Sequence, residues 1–348
     1  MNSIKNIVFS IILLSGFACT NNKKIPNTSA IKIDITVNRF ETDFFALDTL
    51  NIDNSMQQLY TKYPAFYVDY FQNILASSPQ PDSIIKNAQL FSNAYKNVYL
   101  ESKSMYANFT PVVDEITQGF KLLKYYFPNY QLPNKIVTYL GPWDAMFMLS
   151  TKNIGSSIFR DENLMGIGLQ LFLGNNHEVY KQPAIQQLYP DFISRKFDKK
   201  YIAANTMKVL IDDIYPDKSL GMMLIEQMIE AGKRLYVLQA TLPNVPDSIT
   251  TGYTQQQLEV CQKNEANIWS FFVVNNLLFV NDFNLTKDYM NDAPNTTALG
   301  TESPGFIGQF VGWQIVKKWM QKNTNATLQQ LLDKKAKEIF EEAKYKPD

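Results

Sequence analysis

The chain of 348 residues has a single histidine, His177, and two cysteines, Cys19 and Cys261. A zinc site built from His and Cys needs several such ligands, so the composition excludes one. A Ser-His-Asp or Cys-His arrangement would have to recruit His177. That residue sits in the loop Gly174-Asn175-Asn176-His177-Glu178, with no second ligand or nucleophile nearby in sequence. Excess charge is missing too, since Lys+Arg and Asp+Glu both total 33. Such a balance draws neither nucleic acid nor an anionic surface. There is also no repeat at solenoid period, and no motif that calls for a cofactor.

What is present is apolar and aromatic. Hydrophobic residues make up 45% of the chain and aromatics 13%, which is ample for one large core or two interlocked ones.

The N-terminus MNSIKNIVFSIILLSGFAC pairs Lys5 with an apolar run from Ile7 to Leu14. That run is too short to span a bilayer and fits a secretory signal. Cys19 follows Gly-Phe-Ala, where a bacterial lipobox places its lipidated residue, although Gly16 stands where an aliphatic residue is usual. We expect residues 1–18 to be a lipoprotein signal, Cys19 the lipid site, residues 19–30 a polar tether and residues 31–348 one globular unit. Several acyl tails at about 0.8 kcal/mol per buried CH₂ make a stable anchor. With Cys19 acylated, Cys261 has no disulfide partner.

Alternation predicts a strand over 31–40, and apolar runs predict two more over 135–140 and 166–173. Helical spacing covers 55–75, broken at Pro64, then 83–106 and 112–127. From 183 onward the pattern is helical, with candidates over 202–215, 255–278, 304–320 and 328–343. Ser303 and Pro304 look like an N-cap and first turn. Gly305, Gly308 and Gly312 have the spacing that lets a second helix approach closely. The expected fold is helix-dominated mixed α/β, in the α+β manner, with a small sheet.

The stretch Ser219–Tyr236 is central to this pattern. Leu224, Ile225, Met228, Ile229, Leu235 and Tyr236 form one broad apolar side, opposite a narrow stripe of Glu226, Glu230 and Lys233. A stripe that narrow predicts a helix embedded in the core. Glu226 and Glu230, one turn apart, are the candidate polar cleft: an acid/base pair, or a solvated stripe in which Glu230 pairs with Arg234 and Glu226 with Lys233 or water. The aromatic stripe Tyr60, Tyr63, Phe66, Tyr67, Tyr70 and Phe71 reads as core packing, with any exposed part a docking face.

Taken together, RFETDFF, LYTKYPAFYVDYF, IEQMIEAGKRLYVLQATLP, QLEVCQKNEANIWSFF and SPGFIGQFVGWQIVKKWM resemble the GldB family of gliding-motility lipoproteins of Bacteroidetes. The resemblance implies an envelope lipoprotein, periplasm-facing, needed for gliding and the associated type IX secretion. It also implies partners among other envelope proteins of that machinery. GldB-like chains are in turn similar to zincin-type peptidases, with Glu230 where those enzymes place a third zinc ligand. The H-E-x-x-H position falls at Lys199–Tyr215, which contains no histidine. That similarity implies a zincin-like core without its zinc site, and a non-enzymatic, structural role. The alternative is a hydrolase or ligand-binding protein that uses a Glu226/Glu230 cleft.

Overall fold

The computed structural model describes residues 25–144 and 157–347. The signal segment, Cys19 and the start of the tether lie outside the described residues. Among those described, helices dominate, and four short strands form one mixed sheet in the order β1-β2-β4-β3. This is the expected α+β class.

Strand β1 (Thr36–Arg39) runs parallel to β2 (Lys135–Tyr139), and β2 runs parallel to β4 (Leu164–Gly168). Strand β3 (Ile158–Asp161) closes the edge antiparallel to β4. The alternation over 31–40 is real as burial, but the ladder starts only at Thr36, whose N–H reaches the Asn134 carbonyl at 2.9 Å. Before Asn134 there is no neighbouring strand to pair with. The segment around Arg160-Asp161-Glu162, polar in sequence, contains β3. Its hairpin turn uses Glu162 at φ 37°, which no Gly or Asn-Gly pair announces. The apolar run 166–173 leaves the strand after Gly168 and tightens into a 3-10 turn, Leu169–Leu171.

The aromatic stripe is core. The helix Ile52–Lys62 ends before Pro64, as expected, and the chain continues through Pro64–Val68 into a π turn, Asp69–Ile74. Tyr63, Phe66, Tyr70 and Phe71 are buried, while Tyr60 stays exposed. Phe40 meets Phe66 and Tyr70 with ring centroids 4.8 and 4.5 Å apart, the tilted geometry that aromatic quadrupoles favour. The Tyr70 hydroxyl donates to the Leu140 carbonyl at 2.9 Å, so its polar end is satisfied beside the sheet.

Three long helical expectations split. The 83–106 stretch breaks at Tyr95 into Pro81–Ala94 and Lys96–Met105. Tyr95 stacks on Phe91 at 4.2 Å, and its hydroxyl accepts the Trp143 N–H at 3.0 Å. Tertiary contacts, not a Gly or Pro, mark this break. The 255–278 stretch breaks at Asn264, and the closing helix breaks at Lys334-Lys335. Over 304–320 the helix runs Ile307–Lys322, so Ser303 and Pro304 are neither cap nor first turn. The Ser303 hydroxyl instead donates to the Gly300 carbonyl at 2.7 Å, and Thr296 Oγ1 donates to the Pro304 carbonyl at 2.7 Å. The chain then enters the helix through Phe306 at φ 56°.

The helix Leu224–Thr241 is the centre of the C-terminal half. It packs most extensively on the glycine helix Ile307–Lys322, and also touches Thr110–Tyr126, Ile202–Ile214 and Ala336–Ala343. The glycine spacing does what it predicted. A Cβ on Gly312 would lie 1.6 Å from the Met228 carbonyl oxygen, and one on Gly232 would lie 2.3 Å from Gly312 backbone. The two helices touch main chain to main chain.

Cys261 is a free, buried thiol, and burial pushes its pKa up to about 12. Because the thiolate is the reactive form, iodoacetamide at pH 8 is expected to leave Cys261 intact in the native protein and to modify it in guanidinium. Peptide mass analysis reads this directly, and rapid native modification would show the core to be open there.

Candidate functional site

Met223 is the N-cap of the central helix. Glu226, in its first turn, accepts the Met223 backbone N–H at 3.2 Å, the reciprocal half of a capping box. A carboxylate here also faces the positive end of the helix dipole. Glu226 is therefore a helix-terminus group, half-buried.

One turn on, Glu230 is buried, and both of its oxygens are taken. Lys233 Nζ lies 2.7 Å from Oε1, and the Tyr215 hydroxyl donates to Oε2 at 2.8 Å. Lys233 is itself only 1% exposed. Its ammonium also donates to the Leu332 and Lys334 carbonyls at 3.2 and 2.5 Å, and lies 3.2 Å from the Tyr215 hydroxyl. These two carbonyls are freed by the break between Leu328–Asp333 and Ala336–Ala343. Burial lowers the Lys233 pKa, against the pull of Glu230. Burial, with the Glu230 charge second, raises that of Tyr215.

The polar stripe is thus turned inward, with pairings different from the simple helical ones. Glu230 pairs with Lys233, not Arg234. Arg234 Nη1 donates to the Glu230 backbone carbonyl at 2.9 Å, and Nη2 faces Asp217 at 3.3 Å. Glu226 does not reach Lys233. The two carboxylates have separate partners and do not share a proton or a site.

His177 Nδ1 accepts the Val179 N–H at 3.2 Å, and Nε2 pairs with Glu101. It ties a loop to the helix Lys96–Met105. Among the described residues, no group of three or more His, Cys, Asp and Glu is placed to hold a metal ion.

Two surface features remain. A depression of about 640 Å³ at the C-terminal end of β1 is lined by Arg39, Lys103, Ser104 and Tyr106 among others. Arg39, its main charge, is already held by Glu41 at 2.5 Å and by the Tyr106 carbonyl at 2.8 Å.

The second feature is an exposed apolar patch beside the start of the central helix, where Leu220, Val274 and Phe279 are 74%, 73% and 62% exposed. Backbone bonds hold its segments together. Leu224 N–H donates to Val280 at 2.7 Å and Ile225 N–H to Leu278 at 2.9 Å, while Leu277 N–H reaches back to Phe272 at 3.0 Å. Met223, Phe283 and Leu285 are also exposed, and the Phe279 ring lies 6.3 Å from that of Phe340. Sequence reasoning missed this patch, because Phe279 and its buried neighbour Leu278 are both simply apolar.

The family model for gliding motility protein GldB matches residues 21–347. The chain belongs to the GldB family. Membership ties it to gliding motility and to lipoproteins of the envelope. No curated protein and no solved structure matches the chain. Among the described residues, no helix is long and apolar enough to cross a membrane.

Proposed function

We propose that this GldB-family chain is a non-enzymatic, lipid-anchored component that stabilises the gliding and associated type IX secretion machinery from the periplasmic side. Residues 1–18 are its signal, Cys19 carries the lipid, residues 19–30 form the tether and residues 31–348 the working domain. Thr20–Lys24 has no acidic run of the kind that marks export to the cell surface.

The observation that supports this reading best is the fate of Glu230. At the position where the resembled peptidases place a zinc ligand, its carboxylate is closed off by Lys233 and Tyr215. A group so engaged is structural, since a general acid or base needs access to the proton it moves. Glu226, bound to its own helix terminus, offers no substitute.

A Glu226→Gln/Glu230→Gln strain is the direct test. Cells producing normal amounts of the folded variant are expected to glide at the wild-type rate. Loss of gliding with the folded protein present in the envelope would instead place chemistry at these carboxylates. Affinity purification from gently solubilised envelopes tests the scaffold itself. Motility or secretion proteins should be enriched with the wild type and reduced with Cys19→Ala; a lipoprotein that purifies alone would end the scaffold reading.

A further inference from the structure

A further depression, of about 310 Å³, opens on the glycine helix Ile307–Lys322. Gln314, Lys317, Lys318 and Gln321 line it from that helix, at spacings of three and four that put them on one face. Glu265, in the first turn of Glu265–Val274, forms a second wall. Tyr345 and Lys346, just past Ala336–Ala343, form a third. We propose that this depression is a binding site for a phosphate ester, with the phosphoryl group held by Lys317 and Gln314.

Two side chains carry the inference. Gln314 is only 7% exposed, yet its amide has no hydrogen-bond partner among the described residues. Polar groups so deeply buried are nearly always paired, so the amide points to something held in the depression. One turn on, Lys317 is half-buried, and its ammonium stands 3.9 Å over the Trp313 ring. That cation–π contact holds the ammonium in place but supplies no acceptor oxygen. Burial lowers the Lys317 pKa, against the pull of Asp247 and Glu265, neither of which pairs with it. A desolvated ammonium and a desolvated amide, each without an oxygen to donate to, describe an oxyanion site.

The surrounding charge selects among anions. Lys317, Lys318 and Lys346 against Glu265 leave two positive charges in excess. The Glu265 carboxylate already accepts the Tyr345 hydroxyl at 2.6 Å. Such an excess suits a phosphoryl dianion better than a single carboxylate, and lysine binds phosphate as a point charge. The depression has the volume of roughly ten waters, more than a bare phosphate fills. Gln262 and Gln321, both exposed and both lining it, can donate to and accept from hydroxyl groups. The ligand is therefore phosphate esterified to a small hydroxylated group, as in a sugar phosphate or a glycerophospholipid headgroup.

Isothermal titration calorimetry on the full chain in dodecyl maltoside tests this, with glycerol phosphate and dihexanoylphosphatidylglycerol as probes. The wild type is expected to bind at least one of them saturably, and uncharged glycerol not at all. Lys317→Met keeps an unbranched chain over Trp313 and should weaken binding about tenfold, the usual worth of one charged hydrogen bond. Lys318→Gln, at an exposed position, should weaken it several-fold with the fold unchanged. Lys86→Gln, exposed on the helix Pro81–Ala94, should leave it as it is. Tighter binding of glycerol phosphate assigns the site to a soluble ester, and tighter binding of the lipid analogue assigns it to a headgroup.

A wild type that takes up neither probe at millimolar concentration would overturn the proposal. So would binding that Lys317→Met and Lys318→Gln leave unchanged, which would mean an adventitious anion only. Should circular dichroism show Lys317→Met to be misfolded, Lys318→Gln and Lys346→Gln decide alone. None of these outcomes depends on Cys19, so the site and the scaffold reading are tested apart.

Discussion

Gly312→Ala is expected to lower the melting temperature by at least about 6 °C, the shift that ~4 kcal/mol produces in a chain of this size. The added methyl would stand 1.6 Å from the Met228 carbonyl oxygen and 2.2 Å from its carbon. Overpacking a core usually costs about 1–3 kcal/mol, because flexible side chains absorb most of it. Here the obstacle is the backbone of a helix anchored by its neighbours, so the helices must separate and lose contact along their length. The other glycines set a scale. Gly308→Ala meets the flexible Met290 sulfur at 2.5 Å and the Tyr289 carbonyl at 2.9 Å, so it should cost less. Gly221→Ala has nothing within 4 Å and suffers only from its φ of 83°. Thermal unfolding by circular dichroism would show the order Gly312, Gly308, Gly221; a Gly312 variant melting within a degree or two of wild type would disprove main-chain contact.

Lys233→Ala should cost about 3–5 kcal/mol, the usual penalty for removing one partner of a buried ion pair. Loss of the ammonium leaves Glu230 Oε1 and two carbonyls, of Leu332 and Lys334, without their buried donor. An apolar pair of similar volume is nevertheless expected to be tolerated in its place. Burial first, with the Arg234 charge beside it, leaves the Lys233 pKa lowered despite Glu230, and desolvating two charges commonly costs as much as their attraction returns. The double variant Lys233→Met/Glu230→Leu is therefore expected to be more stable than Lys233→Ala. Denaturant midpoints of the single and double variants measure this, and strictly additive losses would show that the two groups do not interact.

The embedded nature of the central helix is legible in the amino-acid pattern alone. Only a narrow polar stripe interrupts its apolar surface, and the glycine spacing of its neighbour announces a close crossing. The partners of Lys233 are not legible there, because two of them are carbonyls about a hundred residues away in sequence. Helical spacing suggests Arg234 for Glu230, and a nearer lysine with better tertiary support takes its place. Ser303-Pro304 carries the right residues for a helix start, yet Thr296 and Gly300 capture that loop first. Local signals are reliable where no distant group competes for the same atoms. The break at Tyr95 and strand β3 are invisible for the same reason.

The socket around Lys233 also bears on when the chain can finish folding. Its ammonium is satisfied by a carbonyl 101 residues downstream, at Lys334. The backbone crossing at Gly312 is likewise non-local. Contacts at such separation form late, because the loop-closure cost comes before any gain. On a chain emerging from a ribosome or a translocon, the central helix therefore stays without its final partners until the segment around Lys334 is out. A protein handled from its N-terminus has, in this arrangement, a clock that keeps its core open until the Lys334 segment arrives.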